Sequence, residues 1–109
     1  MIKAVFNVNA SGTVGFNISG HAGAGECGHD IICAAVSGAV QCVIAVLEEG
    51  LGINGCVSVA DGEENIITCD VSDIPQVEKA IPVLEGLKRT MEEWEKDYPK
   101  NISLKTITI

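Results

Sequence analysis

The sequence predicts a single α+β domain, a mostly antiparallel sheet with packed helices in the order ββαββαβ. Three observations predict it. Apolar and polar residues alternate with period two over Ile2–Val8, Thr13–Ile18 and Ile102–Ile109, as half-buried strands require. Two longer stretches, about 31–49 and 73–97, lack that alternation and are long enough for helices. Finally, a chain of 109 residues buries roughly 65% of its unfolded surface, enough for one core over residues 1–109 and too little for two.

The elements follow in order. Asn9-Ala10-Ser11-Gly12 supplies hairpin chemistry between the first two strands. Gly20 to Gly28 then has no periodicity and four glycines, so it reads as a loop. Asp30 is placed to cap a helix from Ile31 to about Glu49, closed by Gly50 and Gly52. That helix is apolar on nearly every face, which predicts that it is sandwiched rather than laid on the surface. Ile53–Ala60 and Asn65–Val71 read as strands joined by the turn Asp61-Gly62-Glu63-Glu64. The second helix carries an apolar stripe of Val77, Ala80, Ile81, Leu84, Leu87, Met91, Trp94 and Tyr98. Pro75 suits its first turn, Pro82 must kink or restart it, and Pro99 ends it before the last strand.

Composition narrows the function. Fifteen acids against seven bases give a net charge of −8, which repels a phosphate backbone and argues against nucleic acid as a partner. A basic protein or peptide would instead be attracted. The apolar run Ile31–Leu47 is short for a membrane span and is broken by Ser37, Gly38 and Gln41. Five cysteines, an odd number, stand at Cys27, Cys33, Cys42, Cys56 and Cys69, and the first nine residues show no secretory pattern. Reduced thiols in a cytoplasmic protein are the expectation. Cys42, Cys56 and Cys69 read as small buried apolar residues.

Chemistry concentrates in Gly20 to Ser37, GHAGAGECGHDIICAAVS, which holds both histidines and two cysteines. Cysteine attack on a carbonyl needs a thiolate, a base and donors for the oxyanion. With Asp30 as the cap, Cys33 falls in the first helical turn, where unpaired N–H groups and the dipole favour a thiolate. His21, twelve residues earlier, is one candidate base; His29, four residues before Cys33, is another. Each has a plain alternative, Cys33 as a core residue and the histidines as surface ones. Asp30 is either cap or orienter, and Ser37, one turn past Cys33, either joins the site or bonds back to the Cys33 carbonyl. Cys27, His29, Cys33 and His21 could also make a zinc site, although their spacing matches no common finger. The glycine-rich loop lacks the pattern and lysine of a phosphate cradle.

Gly20-His21-Ala22-Gly23, then Gly28 and Asp30-Ile31-Ile32-Cys33-Ala34-Ala35-Val36-Ser37, resembles the signature of the ribosomal-processing cysteine proteases, the Prp family. The resemblance extends along the chain to Tyr98-Pro99 before the last strand. It implies an endopeptidase of Gram-positive and related bacteria that removes an N-terminal extension from a large-subunit ribosomal protein, number twenty-seven of the L series. It implies Cys33 as nucleophile and His21 as general base and acid, with Asp30 and Ser37 beside them. The implied substrate loop comprises Gly20, Ala22, Gly23, Ala24, Gly25 and Gly28. Also implied are a homodimer, no cofactor or metal, and a substrate with paired phenylalanines before a small residue. His29 and Cys27 are additions to the family's pattern. A non-enzymatic ribosome-assembly binding protein and a small zinc module are the rival readings.

Overall fold

A computed structural model describes residues 1–20, 29–60 and 66–109, with only the backbone of His29 and Asp30. Its elements are β1 (Ile2–Asn9), β2 (Gly12–Gly20), α1 (His29–Ala45), a π-helical turn (Val46–Gly50), β3 (Val57–Ala60), β4 (Ile66–Asp70), α2 (Val77–Asp97) and β5 (Ile102–Thr108). The predicted ββαββαβ order and α+β class hold. One sheet runs β3-β4-β2-β1-β5, antiparallel except where β5 lies parallel to β1, pairing Ile2 with Ile102.

Alternation decides which face is covered. Ile2, Ala4 and Phe6 of β1, Val14, Phe16 and Ile18 of β2, and Ile102 of β5 are buried beneath the helices, whereas Lys3, Ser103 and Lys105 face solvent. The hairpin turns at Ala10-Ser11, where the Asn9 side chain accepts the Ser11 N–H at 2.8 Å. The β1–β2 register slips between Asn7, opposite Gly15, and Val8, opposite Thr13, so Val14 is an extra residue. This bulge puts Thr13 and Val14 in the interior consecutively, and no period-two pattern announces it. Thr13 compensates by donating both its N–H and its hydroxyl to Glu85 Oε1 of α2, at 2.8 and 2.6 Å. The contact ties the hairpin to the helix. Gly12, at φ +133°, lies under α2 so closely that a Cβ there would come within 2.8 Å of Ile81 Cγ2.

α2 is one helix through Pro82, neither restarted nor begun at Asp73. Pro82 is exposed, so the carbonyl that loses its partner faces water, and Pro75 precedes the helix instead of opening it. β3 is shorter than its apolar run: Gly52 and Gly55 take positive φ, and Ile53 is buried with its N–H on the Leu47 carbonyl. The turn expected at 61–64 lies outside the described residues.

The expectation for α1 is corrected most. Only one stripe, Ile32, Val36, Val40, Val43 and Leu47, is buried against the sheet. Ala34, Ala35, Gly38, Gln41, Cys42 and Ala45 are exposed, and Ile31 is 72% exposed. A helix without charge from Ile31 to Leu47 gives no sequence signal for which side the sheet covers. With its π-turn, closed by the Leu51 N–H on the Val46 carbonyl, Ile31–Gly50 is long and apolar enough to cross a membrane. Only 28% of that stretch is buried, the stripe that joins the core. Cys42, expected in the core, is exposed because it lies off that stripe.

Candidate active site

Cys33 lies near the start of α1 and is half-buried. It lines a cleft of about 190 Å³ between α1 and the sheet. Cys33, Val36, Ser37 and Val40 form the helical wall; Ile2, Ile18 and Ile67 come from three strands, and Ser19 and Gly20 lie at the end of β2. Cys33 and Ser37 are therefore brought to one cavity by the four-residue spacing of a helix. Gly20, the first residue of the expected substrate loop, lines the same cleft. It has φ +90°, and a Cβ there would run into the Met1 carbonyl oxygen, so only glycine ends β2 this way.

His21 follows Gly20 directly in the chain but lies outside the described residues, as do Ala22, Gly23, Ala24, Gly25, Cys27 and Gly28. Asp30 is corrected in one respect. α1 runs from His29, so Asp30 is its second residue and not the residue that caps it. Cys33 is then the fifth residue, and in an α-helix its own N–H is engaged by the carbonyl of His29. The turn ahead of it comprises residues 29–32. Side chains on a helix lean toward its N-terminus, which carries the thiol back over that turn.

Electrostatics separates the thiols. None of Cys33, Cys42, Cys56 and Cys69 is in a disulfide. Burial, then the neighbouring Cys56 and Asp70, pushes the Cys69 thiol up to about 12, which makes it inert as a nucleophile. Among the described residues, no three His, Cys, Asp or Glu side chains converge to hold a metal ion. Sequence reasoning missed the cleft's apolar lining, Ile2, Ile18, Val40 and Ile67. For Ile18 the signal was present, as the last apolar residue of the alternation before Gly20.

The solved structures show where this architecture recurs. SMU.848 from Streptococcus mutans superposes with a TM-score of 0.90 at 26% identity, covering 100% of this chain and 96% of that one. The ribosomal processing protease Prp from Staphylococcus aureus in complex with a substrate peptide gives 0.73 at 23% identity, with 98% and 100% covered. The same protease with a covalently linked product peptide gives 0.71 at 24%, again with 98% and 100% covered. No curated protein matches the chain. The sequence profile of cysteine protease Prp matches residues 1–103, nearly the whole domain. By that match the chain belongs to the cysteine protease Prp family.

Proposed function

We propose that this protease removes the N-terminal extension of a large-subunit ribosomal protein, number twenty-seven of the L series, with Cys33 as its nucleophile. The observation that carries the reading is the cleft in which Cys33 and Ser37 meet Gly20, the residue next to His21. His21 takes the thiol proton, Cys33 attacks the scissile carbonyl, and His21 returns the proton to the leaving amine. Water then hydrolyses the acyl-enzyme. Amides of the turn ahead of Cys33 receive the oxyanion, while Asp30 and Ser37 hold the groups in place. The cleft is below the roughly 300–1,000 Å³ of small-molecule pockets, so it suits one side chain of a peptide. The complex of the Staphylococcus aureus protease with a substrate peptide agrees with such a ligand.

The protein works in the cytoplasm, where its thiols stay reduced, and as a homodimer. The exposed apolar face of α1 supports the dimer, since a lone soluble domain rarely leaves such a face uncovered. A twofold pair of α1 helices would cover it, with Ala34, Gly38 and Ala45 allowing close approach. Incubation of the purified protein with the extended ribosomal protein, followed by mass spectrometry, tests the function. A single cut that releases the extension is expected. An intact substrate, with the protein folded, would overturn the reading.

A further inference from the structure

On the helix-facing side of the sheet, one row of side chains crosses all five strands. Leu104, Ala4, Ile18, Ile67 and Val59 stand in register as successive cross-strand partners. Exposure rises along it: Ala4 is 1% exposed, Ile18 6%, Ile67 is half-buried and Val59 is 58% exposed. The cause is coverage. α2 packs over β2 and β5, and among the described residues neither helix packs broadly on β3 or β4. The sheet therefore has an apolar shelf, and Ile67 belongs to both that shelf and the floor of the Cys33 cleft.

We propose that Ile67 and Val59 are specificity-determining residues that receive a large apolar side chain of the peptide substrate, two residues from the one in the cleft. The inference rests on Cys33 being the nucleophile. Its support is continuity and chemistry: Ile67 joins the shelf to the cleft, and among the described residues the cleft lining carries no charged side chain. Spacing agrees as well. Strands lie about 4.8 Å apart, so the midpoint of Ile18 and Ile67 is roughly 7 Å from Val59. Alternate residues of an extended peptide are spaced by about 6.7 Å and point to the same side. A peptide held over Cys33 thus lays its next same-side residue on the shelf.

The test uses the full chain and two peptides from the extended ribosomal protein, one native and one with alanine at the shelf position. Val59→Asp, on an exposed edge strand, should lower kcat/KM for the native peptide at least tenfold and for the alanine peptide less than twofold. Val59→Ile, which keeps an apolar surface, should lose far less than Val59→Asp on the native peptide, and alkylation of Cys33 should be unchanged in both variants. Equal losses on both peptides would overturn the shelf, as would a changed oligomeric state with unchanged cleavage. If the parent cuts neither peptide, binding to Cys33→Ala decides. Weakening by Val59→Asp there keeps the shelf while the proteolytic reading falls, and absence of binding removes both.

Discussion

Glu85 is the clearest place to perturb the fold without touching the cleft. Its Oε1 accepts the N–H and the hydroxyl of Thr13, which is fully buried, at 2.8 and 2.6 Å. Glu85→Ala would strand both donors. Each unmade bond costs about 1–3 kcal/mol, but the two share one oxygen, and the half-exposed site admits water. The combined loss should be about 2 kcal/mol. At about 4–8 °C per kcal/mol for a domain of this size, the melting temperature should fall by roughly 8–16 °C. The pH dependence supplies a second readout. The Thr13 hydroxyl and then its N–H hold the Glu85 carboxyl below the ordinary glutamate value of 4.5. A depressed folded value means that the stabilisation is present above about 4.5 and is lost as pH falls through that lower value. Glu85→Gln keeps an acceptor without the charge, so its deficit in circular-dichroism melts should be widest near neutrality and shrink below that range. Asp70, lowered in the same way by Ser72, is present in both proteins and cancels. A melt of Glu85→Ala within 2 °C of the parent, or a Glu85→Gln deficit that ignores pH, would refute the reasoning.

Other outcomes are equally specific. Gly12→Ala should destabilise the fold by about 1–3 kcal/mol in chemical denaturation, because φ is +133° and the new Cβ meets Ile81. Cys33→Ser should abolish peptide cleavage with the melting temperature kept, whereas Cys27→Ser should retain most activity. Steady-state assays of His21→Ala should show a loss of about 10²-fold or more, with His29→Ala still turning over; the reverse ranking would make His29 the base. Intact-mass analysis after iodoacetamide at pH 8 should show Cys69 unmodified until the chain is denatured, since burial pushes its thiol up to about 12.

What was legible in the sequence was periodic or locally unusual. Alternation located β1, β2 and β5, and the motif residues Gly20, Cys33 and Ser37 are among those that line the cleft. What stayed hidden depends on long-range packing. The bulge at Val14 leaves no mark, because Thr13 looks like a solvent-facing residue until Glu85 arrives from 72 positions away. The start of β3 was misplaced because Ile53 is apolar for a different reason, packing under the π-turn while Gly52 and Gly55 redirect the chain. Asp30 has the chemistry of a cap, yet His29 is already helical. The exposure of the sheet at Val59 was also out of reach, since Val59 and Ile67 alternate like any half-buried strand.

The parallel pairing of β1 with β5 joins residues a hundred positions apart, Ile2 with Ile102. On a ribosome synthesising from the N-terminus, β1, β2, β3 and β4 all emerge before β5 exists. Until β5 leaves the exit tunnel, β1 is an open edge with a row of unanswered backbone groups. Such non-local closure slows folding, because the loop entropy is spent before the contacts form. The nascent chain must therefore remain protected until β5 has emerged, and truncation inside β5 would uncover an edge beside Phe6 and Ala4 in the middle of the core.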